Sequence, residues 1–118
     1  MGYLRSGEST ESTTLGATWT SSTISLDIGR TLLIQATIAS NIDAVGTIAV
    51  DGSNDGANWY VIPFTDSAGT VSTTFAVTAG VNTTEPFSCE KFAHYRVRYT
   101  RTSGGAAATL TLAINRPR

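Results

Sequence analysis

Hydrophobic and polar residues alternate with period two along most of this chain. Leu32, Ile34, Ala36 and Ile38 share one face of a segment whose other face carries Leu33, Gln35 and Thr37. Upstream, Ile24, Leu26 and Ile28 alternate with Ser25 and Asp27 until Gly29-Arg30 breaks the run. Ile48 and Val50 lead into a polar turn, after which Trp59, Val61 and Pro63 alternate with Tyr60, Ile62 and Phe64. Val71, Thr73, Phe75 and Val77 form another run. Tyr95, Val97 and Tyr99 alternate with His94, Arg96, Arg98 and Thr100, and Leu110, Leu112 and Ile114 make the last run. Such alternation marks half-buried strands. Turn signals separate them at Asn41 to Gly46, Asp66 to Gly69 and Ser103-Gly104-Gly105. The pattern predicts an all-β fold, an antiparallel β-sandwich or jelly roll of about eight strands. Ala106-Ala107-Ala108 is the one helix-friendly run, but two glycines precede it and Thr-Leu-Thr-Leu follows. Pro63 lacks a donor, so its strand should end there or lie at a sheet edge. Ala79 to Pro86 reads as loop, and Phe87 to Phe92 as irregular or a short strand.

Residues 1–16 lack this periodicity and are rich in Gly, Ser, Thr and Glu. They are expected to form an extended N-terminal arm ahead of a single sandwich domain, 17–118. Tyr3 and Leu4 could anchor that arm, with Arg5 beside them, against a neighbouring subunit.

The segment Val50-Asp51-Gly52-Ser53-Asn54-Asp55-Gly56-Ala57-Asn58-Trp59 carries the strongest turn signal. Asn54, Asp55 and Gly56 supply positive φ at low cost, so the chain is expected to double back in a hairpin that reopens on Trp59. Asp51 to Gly56 also resembles the first half of a calcium loop. Calcium wants about six to eight oxygens, and the residue in the place of the bidentate glutamate is Ile62. The segment is therefore read as a structural turn, with no metal or cofactor.

Composition narrows the function. Charged residues make up 14% of the chain and the net charge is −1, which argues against a nucleic-acid binder that neutralises phosphates. Ser and Thr supply 32 of the 118 residues, in keeping with strands and turns. One lysine, Lys91, stands against seven arginines, the bias of a protein that packs against neighbours. Arg96, Arg98 and Arg101 give one strand an arginine-rich outer face suited to carboxylates on a partner. Glu85 and Glu90 are the expected neutralising groups. Cys89 is the only cysteine, so no internal disulfide is possible. No signal peptide is visible, and no run approaches the roughly 18 apolar residues of a membrane span. His94 is the only histidine, with no Gly-x-Ser-x-Gly turn and no second titratable partner in view. The chain is expected not to be an enzyme.

Size, polar arm, Thr-rich alternating strands, the Gly-Ser-Asn-Asp-Gly-Ala-Asn-Trp segment and the missing export signal together resemble the small decoration, or cement, proteins of tailed-phage capsids. The resemblance covers residues 15–115, in style rather than through one diagnostic motif. It implies a homo-oligomer, dimer or trimer, bound to the major capsid protein on the virion surface after assembly in the host cytoplasm. It implies no nucleic-acid or membrane partner. Its mechanism would be adhesive, bridging capsid subunits. An alternative is a carbohydrate- or receptor-binding module of a phage tail or fibre, because Ser53 to Trp59 is also similar to a turn of discoidin-like domains. Those domains are usually longer and often carry a cysteine pair, which is absent here.

Overall fold

A computed structural model describes residues 8–26, 31–89 and 92–116. Those residues form twelve strand segments: β1 (Glu8–Thr14), β2 (Trp19–Thr20), β3 (Ile24–Ser25), β4 (Leu32–Ala39), β5 (Val45–Ser53), β6 (Tyr60–Val61), β7 (Phe64–Thr65), β8 (Val71–Ser72), β9 (Phe75–Val77), β10 (Thr83–Cys89), β11 (His94–Ser103) and β12 (Thr109–Asn115). One antiparallel sheet has the order β1-β12-β4-β10-β7-β8. The other has the order β2-β11-β5-β6, with β3 also on β11 and β9 also on β5.

The pairs nest. β1 pairs with β12, β2 and β3 with β11, β4 with β10, and β5 with β9. Successive members of the nest alternate between sheets. This is a long hairpin rolled into a sandwich, the jelly-roll arrangement. Two of its eight strands are broken. β2 and β3 are one strand interrupted at Ser21, whose Oγ accepts from Val97 N at 2.8 Å. β6 and β9 lie on opposite ends of the same β5 edge, and between them the chain crosses to the first sheet as the β7–β8 hairpin. Ile62-Pro63 is that crossing, where the absent proline donor costs no ladder bond. The run from Val71 to Val77, expected as one strand, divides between the two sheets for the same reason.

The core lies between the inner faces. Leu32, Ile34, Ala36 and Ile38 meet Phe87, Cys89, Leu110, Leu112 and Ile114 from one sheet, and Ile48, Val50, Tyr95, Val97 and Tyr99 from the other; all are buried. Phe64 and Phe87 pack with ring centroids 4.6 Å apart.

Two further expectations are revised. Glu8–Thr14, read as part of a free arm, is the first strand of the roll and runs in register with β12 from Glu8↔Asn115 to Thr14↔Thr109. A backbone ladder holds it, so it needs no apolar alternation. The Glu11 carboxylate accepts from Ser22 N at 3.1 Å, tying the strand to the other sheet, and Leu15 just beyond is fully buried. Residues 1–7, with Tyr3, Leu4 and Arg5, lie outside the described residues. The second revision is Thr83–Cys89, read as mostly loop, which is a seven-residue strand. Pro86 fits because β7 pairs with β10 only at Ser88↔Thr65, leaving the proline's side of the strand open.

Candidate functional site

The site forms on the outer face of the second sheet. Alternation along β11 sends Tyr95, Val97 and Tyr99 inward, so Arg96 and Arg98 point out. Asp51 is the register partner of Arg96 on β5 and occupies the same face. Its Oδ2 accepts from Arg96 Nε at 2.9 Å and from Arg98 Nε at 3.1 Å, and its Oδ1 accepts from Arg98 Nη2 at 3.1 Å. The Asp51 side chain is only 3% exposed although it lies on a solvent-facing sheet, because the two guanidinium groups cover it. Burial alone would raise its pKa; the hydrogen bonds from Arg98 and Arg96, with their charges, outweigh that and hold it below the usual carboxylate value. The hydrogen bond to Asp51 in turn raises Arg98.

Trp59 completes the cluster. The Arg96 guanidinium lies 4.4 Å from the centroid of its ring, a cation–π contact. Arg96 therefore has its face on an indole and its Nε on a carboxylate. Neither of its Nη atoms has a hydrogen-bond partner among the described residues. Arg98 differs: it is bidentate on Asp51, and its Nη1 reaches Thr100 Oγ1 at 3.4 Å. Two arginines over one aspartate leave a net positive patch with one pre-oriented fork. Tyr60 and Val61 are exposed beside it, 63% and 48%.

The sequence pattern points to Arg96 and Arg98 but not to their anion, and Glu85, expected to help neutralise them, does not reach them. Glu85 lies in the opposite sheet, where it accepts from Ser67 N at 2.7 Å, and Glu90 is outside the described residues. The missed group is Asp51, which was read only as part of a turn. Its signal is a carboxylate that directly follows inward-facing Val50, and so points outward, on the strand leading to the hairpin. Arg101 is not part of the cluster. It sits at the far end of β11, where its Nε donates to Gly104 O at 2.7 Å.

The turn between β5 and β6 spans residues 54–59 and is built around Asp55. Asp55 Oδ1 accepts from Ala57 N and Asn58 N at 2.8 Å and from Ser53 Oγ at 2.9 Å, and its Oδ2 accepts from Asn58 Nδ2 at 2.7 Å. The Asn58 and Ala57 amides hold its carboxyl far below the usual range. Gly56 has φ of +74°. These contacts fix where Trp59 emerges. No group of three or more His, Cys, Asp or Glu gathers to hold a metal ion among the described residues.

His94 Nδ1 lies 3.2 Å from Ser25 Oγ. A hydrolytic triad also needs a carboxylate on the other ring nitrogen. Asp55, on the neighbouring turn, spends both oxygens on its own loop. A groove of about 630 Å³ crosses the outer face of the first sheet, floored by Leu33, Gln35, Pro86 and Ala113.

No protein-family model matches this chain, and no curated protein matches it. Among solved structures, the fold is similar to that of the SPBc2 prophage-derived protein YomS. The TM-score is 0.59 at 10% sequence identity, over 98% of this chain and 100% of that one. The likeness is one of fold, and it runs end to end.

Proposed function

We propose that this chain is a non-enzymatic structural protein of a phage particle, which decorates a capsid and stabilises it by bridging capsid subunits. The observation that carries this reading is the Trp59–Arg96–Asp51–Arg98 cluster. Tryptophan and arginine, pre-oriented on a rigid sheet, are what the energetic centre of a protein–protein interface is made of. The cluster offers carboxylate recognition. The end-to-end fold likeness to a prophage-derived protein supports the phage setting.

The test is a mass measurement on purified virions assembled with and without this protein, followed by separation of capsids from tails. Regular copies on the capsid are expected, together with lower heat resistance of particles that lack it. Recovery only with tails would favour the second reading, a receptor- or glycan-binding module. For that reading the supporting observation is the exposed Tyr60 next to Trp59 on the rigid Asp55 turn.

A further inference from the structure

The edges of the two sheets are not alike. β6 and β8 are two residues long and β9 is three. β2 and β3 are interrupted at Ser21. Short or broken edges keep other strands from adding to a sheet. β1 is the exception among the described residues. It is an end strand of seven residues, bound on one side to β12 in unbroken register, with no described strand on its other side. It carries no proline, lysine or arginine.

The backbone of β1 is turned toward that open side at every second residue. Leu15 N donates to Ala108 O at 3.1 Å, so the odd-numbered residues direct their N–H and C=O to β12. Alternation then directs those of Thr10, Ser12 and Thr14 along the open edge. All three residues are exposed. Glu11 is the one charge among them. Its carboxylate is folded onto the other sheet, where it accepts from Ser22 N at 3.1 Å and from Ser22 Oγ at 3.4 Å. That contact sets the β2–β3 edge beside β1 on the same flank, and Thr20, Ser22 and Thr23 are exposed there. Small side chains in both layers let a second backbone approach to strand spacing, about 4.8 Å.

We propose that a second copy of this chain covers the edge, its β1 pairing antiparallel with the first about a two-fold axis at Ser12. An axis normal to the sheet keeps outer faces with outer faces, so even residues meet even residues. Ser12 then lies opposite the partner's Ser12, Thr10 opposite the partner's Thr14, and Glu11 opposite the partner's Thr13. Hydroxyl side chains meet hydroxyl side chains. The pairs of even residues exchange about six backbone hydrogen bonds. Charge selects this register. An axis at Glu11 would set that carboxylate against its own copy, and an axis at Thr10 would draw Glu8 of both chains into the pairing. With the axis at Ser12 the two Glu11 groups are diagonal, each turned to Ser22 of its own chain. A foreign strand would be selected through pockets for its side chains. This stretch of Ser and Thr offers none, whereas a closed two-fold occupies the open edge of both copies at once. The pairing goes beyond the adhesive reading above. A dimer carries two Arg96 forks, the bivalence that bridging two capsid subunits requires.

Sedimentation equilibrium of the free protein over a concentration series tests the pairing. The intact chain should show monomer and dimer and nothing larger. Ser12→Lys and Ser12→Asp each place like charges at the axis and should weaken the dimer about fivefold or more. An equimolar mixture of the two variants should dimerise at least as well as the intact chain, because opposite charges then meet. At concentrations where all are monomeric, both variants should melt close to the intact chain, since the backbone of Ser12 does not bond β12. A monomer at every concentration, a trimer, or a dimer indifferent to both Ser12 variants overturns the inference. A mixture as weak as the single variants overturns it too. The readout is on the free protein, so an intact chain that dimerises in this way but binds no capsid removes the proposed function and leaves the pairing standing.

Discussion

Asp51 illustrates how much one carboxylate decides at the residue scale. It is covered by the groups that neutralise it, so removing it leaves Arg96 and Arg98 to repel each other over an empty site. Asp51→Asn should destabilise the fold by about 1–2 kcal/mol near neutral pH, since hydrogen bonds to charged groups are strong but both arginines are part-exposed. The folded-state pKa lies below the ordinary value of 3.8. As pH falls past 3.8 the unfolded chain takes up a proton that the folded chain refuses, so stability falls. The gap between wild type and Asp51→Asn should be full above pH 3.8 and shrink as pH drops through the folded pKa. Denaturant unfolding at a series of pH values checks this; a gap independent of pH would contradict it. Cys89 gives a second expectation. Burial pushes its thiol up to about 12, so at neutral pH almost no thiolate forms. A thiol reagent should react with the folded chain only as fast as the chain opens, and at once in denaturant. At this scale the sequence was legible for alternation, which placed both arginines on one face. It was not legible for Asp51, because the contact spans 45 residues.

Among the elements, β1 and β10 were hidden for related reasons. β1 carries no alternating apolar residues, and β10 carries them only at Phe87 and Cys89. β1 is held by a ladder to β12, and β10 hides behind Glu85 and Pro86, which its half-open edge tolerates. Deleting residues 1–14 should therefore lower the unfolding free energy by roughly 2 kcal/mol or more and leave β12 as a bare edge prone to self-association. Melting and light-scattering measurements on the truncated and intact chains check both outcomes. The turn after β11 is equally demanding. Gly105 has φ of +93° and abuts the Leu15 carbonyl, so Gly105→Ala should cost about 2–4 kcal/mol, read from chemical denaturation.

At the level of the whole molecule, the all-β antiparallel sandwich class was legible because alternation and turn chemistry are local, while the count was not, since β1 and most of β10 carry no such signal. Nor was the nesting of the roll. It joins residues as distant as Glu8 and Asn115, and no local signal specifies such a pair. The same roll puts the Arg96 fork on the outer face of the second sheet, where the proposed capsid contact needs it. The central claim is that this domain works by adhesion to a capsid through that fork. A binding isotherm of the purified chain on DNA-free capsids, at low and at high salt, tests it most directly. The account predicts saturable binding at a fixed number of copies per capsid, weakened as salt screens the arginine fork and weakened further by Arg96→Ala. Absence of saturable binding at low salt would contradict it.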